Sequence, residues 1–176
     1  MAAVSRSARA QRGFTLLELL VVMVLIAVIA GAVLLSVSGG AALRLREEAE
    51  RLQQALQMAA DEAVLEGSER AVYLTQGGYG FLRYDGPSHQ WQPIVEARKD
   101  KYTLPDGLHL ELVSDGMEVK LASDAAHAPA QTDLIFLSSG EMTPFRLSLA
   151  LKSGKESAVL VTDGLAPITL HYETGP

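Results

Sequence analysis

Arg12-Gly13-Phe14-Thr15-Leu16-Leu17-Glu18-Leu19-Leu20-Val21-Val22-Met23-Val24-Leu25-Ile26-Ala27-Val28-Ile29-Ala30-Gly31-Ala32-Val33-Leu34-Leu35-Ser36-Val37 is the stretch on which the fold of this chain turns. After Gly13 the apolar run is interrupted only by Thr15, Glu18, Gly31 and Ser36. Residues 14–37, at about 1.5 Å of rise each, make a helix of roughly 36 Å, enough to cross a hydrocarbon core of about 30 Å. The length predicts a transmembrane helix. Arg6, Arg9 and Arg12 precede it with no acidic residue among them, so the positive-inside bias predicts a cytoplasmic N-terminus and a remainder on the far side. Glu18 is the anomaly, because an ionisable group inside an apolar span is costly unless it is paired or reaches the interface.

The remainder of this 176-residue chain is of a size for one compact domain. The formal net charge is −6, and from Phe14 onward it is −9, with twelve basic against 21 acidic side chains. That balance provides no basic footprint for nucleic acid. The chain has no cysteine. Disulfides, thiol nucleophiles, Cys-based metal sites and a lipidated lipobox are therefore excluded, and the domain must be held by its core alone.

Beyond the span, Ser38-Gly39-Gly40 lowers helix propensity and predicts a bend or loosened turn. The helical pattern then resumes, with Leu45, Ala49, Leu52, Leu56, Ala59 and Ala63 at steps of four and three. Arg46, Glu47, Glu50, Arg51 and Glu66 fall off this stripe, and Gly67 is the expected stop. Three short, alanine-rich heptads are weak for self-association, so the stripe is expected to lie under the chain's own sheet.

From Arg70 the texture changes to alternating runs separated by turn residues. Expected strands are 71–75, 79–84, 91–96 (with Pro93 marking an edge), 108–113, 118–122, 134–137, 145–151, 157–162 and 168–172. Residues 123–133 read as a loop. The predicted fold class is α+β: one long N-terminal helix, transmembrane then amphipathic, packed on antiparallel β-sheet, with eight or nine strands favouring two sheets over one. The organisation this implies is 1–13 leader, 14–37 transmembrane helix, 38–67 amphipathic helix, and 68–176 β-rich domain.

A conventional export signal competes for residues 1–40, since Ala30-Gly31-Ala32 offers small residues at a cleavage site. The apolar run is longer than a signal peptide's core, and a carboxylate inside it has no use in a discarded segment. Both features favour retention of the helix. Gly13-Phe14-Thr15-Leu16-Leu17-Glu18, behind an arginine-bearing leader and ahead of a long apolar helix, resembles the class III signal of type IV pilins and type II secretion pseudopilins. The resemblance implies cleavage after Gly13 by a prepilin peptidase, which then N-methylates Phe14. It also implies that Glu18 meets the terminal amine of a neighbouring subunit during filament assembly. A cationic amine at membrane depth is expensive alone, and a carboxylate partner offsets it.

Farther along, Asp61 to Leu65, Leu82-Arg83-Tyr84-Asp85, Trp91, Leu134 to Leu147 and Asp163-Gly164 are similar to the H-type minor pseudopilins, most specifically over Ser138 to Arg146. That likeness implies a low-abundance subunit at or near the tip of a periplasmic pseudopilus, supporting export of folded proteins across the outer membrane of a Gram-negative bacterium. Implied partners are other minor and major pseudopilins, the prepilin peptidase/methyltransferase, the inner-membrane secretion platform and the lipid bilayer. The alternative is a minor pilin of a type IV pilus, serving adhesion, twitching or DNA uptake.

Catalytic patterns are missing. His89, His109, His127 and His171 have no metal-binding spacing, Ser139 lacks a nucleophile elbow, and no phosphate-binding glycine loop follows a strand. Asp85-Gly86, Asp106-Gly107, Asp115-Gly116 and Asp163-Gly164 read as turns and not as a dense calcium loop. The chain is expected to be no enzyme, with no cofactor and no metal.

Overall fold

The structure is a computed structural model and describes residues 16–94, 101–123, 132–152 and 154–174, with the side chains of 30–39 excepted. The chain forms two compact units, residues 1–40 and 41–176. Helix α1 (Leu16–Glu66) contributes to both and is helical through Ser38, Gly39 and Gly40, so the glycines do not break its secondary structure. In the first unit, every described side chain from Leu16 to Ile29 is exposed.

The second unit is built around the other half of α1. Leu45, Ala49, Leu52, Leu56, Ala59 and Ala63 are all buried, in one core with residues from the strands, including Val72, Leu110, Leu134, Leu147 and Leu160. The stripe therefore faces the chain's own sheets, and its alanines let strands approach closely. α1 ends in a Schellman arrangement: Gly67 adopts φ 62°, Ser68 N–H donates to the Ala63 carbonyl at 3.1 Å, and Gly67 N–H donates to Val64 at 3.3 Å.

Among the described residues ten strands follow: β1 (Arg70–Thr75), β2 (Gly78–Asp85), β3 (Gln90–Pro93), β4 (Tyr102–Thr103), β5 (Leu108–Ser114), β6 (Met117–Val119), β7 (Leu134–Phe136), β8 (Phe145–Leu151), β9 (Glu156–Thr162) and β10 (Thr169–Thr174). They form two sheets, ordered β3-β2-β1-β7, with β4 also on β2, and β10-β9-β8-β5-β6. All strand pairs are antiparallel. Alternation sets the inner face: in β8, Phe145, Leu147 and Leu149 are buried while Arg146 points out to Glu173 on β10 at 2.7 Å.

Three details differ from the sequence reading. Strand β4 has too few residues to leave a periodic signal, and it forms because Gly78 lets the Tyr102 backbone lie against β2; a Cβ on Gly78 would run into the Tyr102 carbonyl oxygen. The strand expected at 118–122 shrinks to β6, and Ala122 instead makes an isolated bridge with Thr75, Gln76 N–H donating to the Ala122 carbonyl at 2.9 Å. The strand expected at 91–96 is β3, and its last two expected residues, like residues 124–131 of the expected loop, lie outside the described residues.

Asp133 closes the approach to β7. Its Oδ2 accepts a bond from Leu74 N–H at 2.6 Å, and partial burial, opposed by that bond, pushes its carboxyl above the ordinary range. A folded-state pKa raised above the unfolded one means stability is highest below the unfolded value and falls as pH rises through the folded one. Asp133→Asn keeps an acceptor for Leu74 and removes the buried charge. The variant is expected to melt higher than wild type at pH 7 and to match it at about pH 3; equal melting temperatures at both pH values would contradict the burial argument.

Candidate functional site

Glu18 is where sequence reasoning puts assembly. The structure places it in α1, close to the first of the described residues. Around it Leu16, Leu17, Leu19, Leu20 and Val21 to Ile26 are exposed on every side of the helix, Leu16 to 83%. A helix apolar all round is stable only against lipid or other helices. Among the described residues no helix is long and apolar enough to cross a membrane. The expected span at 14–37 lies in part outside the described residues, as do Gly13 and Phe14, the leader arginines and the side chains of 30–39.

On the flank of α1, β4 carries a polar cluster that sequence patterning missed. Tyr102 Oη donates to Glu48 Oε2 at 2.7 Å and accepts from Arg51 Nη1 at 2.8 Å, while the Arg51 guanidinium lies 5.1 Å from the Tyr102 ring centre. Burial, then the bond to Glu48, raises the Tyr102 phenol, so it remains a donor at neutral pH. Tyr79 packs tilted against Tyr102 at 5.2 Å and edge-to-face against Phe81 at 5.7 Å, and these rings with Ala55, Met58 and Ala59 line a cleft of about 410 Å³. At its end Arg70 is buried and bridges Glu62 at 2.8 Å and Glu66 at 2.9 Å, tying β1 to the last turns of α1. The i,i+51 and i,i+54 contacts of Tyr102 have no local signature; only its isolation as an aromatic beside a glycine-rich hairpin could have drawn notice.

The segment from Ser138 to Arg146 is a tight connection between β7 and β8. Leu137 N–H donates to Glu141 O at 2.8 Å, Gly140 N–H to Leu137 O at 3.0 Å, and Thr143 N–H to Ile135 O at 2.9 Å. The Thr143 hydroxyl also accepts from Ile135 N–H at 3.0 Å. A second loop locks onto this one: Met142 N–H donates to Gly164 O at 2.9 Å, and Gly164 N–H donates to Thr162 Oγ1 at 3.1 Å. Asp163 Oδ1 accepts from Leu165 and Ala166 N–H groups, which hold its carboxyl below the ordinary range. The sequence marked both segments, and the structure joins them.

Among the described residues the histidines are not gathered into a catalytic constellation. His89 Nδ1 lies 3.1 Å from Tyr84 Oη and His109 Nε2 lies 3.2 Å from Glu111, in separate places; His127 lies outside the described residues. Asp85 bonds Ser88 and Gln92, Asp115 and Gly116 form the β5–β6 turn with φ 51° and 75°, and Asp163 caps its own loop. These aspartates serve turns. Among the described residues no group of three or more His, Asp or Glu side chains is placed to hold a metal ion.

Comparison with known proteins agrees with this geometry. The family model described as "Type II transport protein GspH" matches residues 48–165, and that of the "Prokaryotic N-terminal methylation motif" matches residues 8–34. Type II secretion system protein H of Pseudomonas aeruginosa is 39% identical over 163 residues, covering 89% of this chain and 93% of that protein. Among solved structures, the minor pseudopilin EpsH of Vibrio cholerae aligns with a TM-score of 0.56 and 26% identity, over 76% of this chain and 95% of that one. The solution structure of Escherichia coli GspH aligns with a TM-score of 0.57 and 26% identity, over 74% of this chain and 89% of that one.

Proposed function

This chain belongs to the GspH family of type II transport proteins and is a minor pseudopilin of type II secretion, and from that premise we propose how it is processed, anchored and assembled. The chain is cut after Gly13, its new terminal Phe14 is N-methylated by the same peptidase, and residues 14–37 stay in the inner membrane with the leader side cytoplasmic and the β-rich domain periplasmic. Glu18 pairs with the terminal amine of an adjacent subunit, which sets the register of entry into the filament. The protein acts at or near the pseudopilus tip with the other minor and major pseudopilins and the inner-membrane platform, and it performs no catalysis.

What supports this reading is that the family model of the N-terminal methylation motif matches residues 8–34, and that within this stretch Glu18 lies on α1 among apolar side chains exposed from Leu16 to Ile29. Cleavage after Gly13 creates a cationic amine close in sequence to this carboxylate, and a charge at membrane depth costs less when it is paired.

Deleting the gene in its host and restoring it on a plasmid tests the secretion role. Folded export substrates are expected to accumulate in the periplasm of the deletion strain and to return to the medium on complementation, with surface pili and twitching unchanged. Loss of pili or twitching with normal export would transfer the protein to a type IV pilus.

A further inference from the structure

The C-terminal end of α1 is charged against its own dipole. Its last turn contains no basic residue, although the helix terminus favours a cation there. Residues 61–69 instead include Asp61, Glu62, Glu66 and Glu69. Arg70 neutralises two of these through its ion pairs, and Arg83 is the residue opposite Arg70 on β2. The β7–β8 turn comes to the same place: a Cβ added to Gly140 would lie 3.8 Å from Val64 Cγ2. Glu141 follows in that turn, and Asp163 in the loop bonded to it.

Apolar side chains stand among these carboxylates. Leu65 is 84% exposed and Leu165 is 76% exposed, with Val64 and Leu137 also open to solvent. These four lie on the two loops joined by the Met142–Gly164 hydrogen bond and on the helix end that Gly140 approaches, while Leu43, Met58, Met117 and Tyr172 are exposed on other elements. Large apolar side chains left open beside carboxylates are the composition of an interaction surface.

We propose that this end of the β-rich unit docks another pilin-like subunit, one that presents apolar side chains ringed by lysine or arginine. The proposal rests on the pseudopilin reading and adds to it the place and chemistry of a contact. Charge selects the occupant. A second copy of this chain offering the same face would set acid against acid, and an anionic bilayer surface would be repelled in the same way. The proposal also gives Ser138 to Glu141 a role: the turn is held tight so that Leu137 and Glu141 flank the helix end.

The test uses the full chain co-expressed with the pseudopilins of its own secretion system, extracted in detergent and recovered by a tag on this chain. Leu65→Glu with Leu165→Glu, and separately Glu141→Lys, are compared with Met117→Glu, an open position at the start of β6. Recovery of at least one partner pseudopilin is expected to fall about tenfold or more in the first two proteins and to stay unchanged in the third. High salt is expected to weaken the wild-type complex. Undiminished recovery with both patch variants, while wild type still captures its partners, would overturn the docking face alone. If wild type captures no pseudopilin, the assembly role itself fails with it, and capture of only a second copy of this chain would overturn the occupant.

Discussion

Glu18→Ala is expected to leave cleavage after Gly13 intact and to lower export of folded proteins by an order of magnitude or more. Paired charges in a medium of low polarity respond asymmetrically to deletion. Removing one member leaves the other desolvated and uncompensated, which costs about 3–5 kcal/mol, far more than an exposed surface pair contributes. On the proposed pairing the orphan would be the terminal amine of a neighbouring subunit, so the cost would fall on assembly and not on folding. The β-rich unit contains none of this machinery, and its thermal stability should be unchanged. Glu18→Asp keeps the charge and is expected to restore part of the export. Normal export by Glu18→Ala, with the protein processed and present at wild-type level, would contradict the pairing.

The second large effect belongs to the loop contact. Gly164 adopts φ 95°, and a Cβ there would sit 2.6 Å from the Met142 carbonyl oxygen and 3.2 Å from Pro144 Cγ. Gly164→Val therefore combines backbone strain with a clash against another main chain, neither of which a rotamer change relieves. The Met142 to Gly164 hydrogen bond and the turn behind it must give way, at a cost of about 3 kcal/mol or more. For a domain whose whole stability is of order 5–15 kcal/mol, that is a large share. A urea titration of the variant should show a clearly lower midpoint with little change in slope. Gly86→Ala, where an added Cβ meets nothing within 4 Å, is the matched control and should stay close to wild type. Equal midpoints for the two variants would mean that the loop contact contributes nothing to the fold.

Local pattern made much of this molecule legible and could not reach the rest. The stripe from Leu45 to Ala63 declared both its helix and its burial, because period 3.6 and side-chain volume carry the same message when one face is covered. Hairpins at Gly77-Gly78 and Asp115-Gly116 were readable from turn chemistry, and the stop at Gly67 from its place after the stripe. Strand β4 was not, since two residues have no period and its existence depends on the missing side chain of Gly78 opposite. The early end of β6 was hidden for a similar reason: Ala122 finds Thr75, a partner from the other sheet, and no local feature announces it. For the candidate site the division is sharper. Glu18 was conspicuous as a lone carboxylate among apolar residues, whereas the union of the Ser138 to Arg146 turn with Gly164 and the end of α1 is a tertiary fact. The sequence marked both segments as distinctive without giving a reason, and the hydrogen bonds from Met142 and the approach of Gly140 to Val64 supply one.

The measurement that bears most directly on the account is the mass of the mature N-terminal peptide from protein purified out of the membrane of its host. The account predicts a peptide that begins at Phe14, has lost residues 1–13, and carries one added methyl group on its terminal nitrogen. A peptide beginning near Ala32 would contradict it, because the apolar helix and Glu18 would then have been discarded as an ordinary export signal.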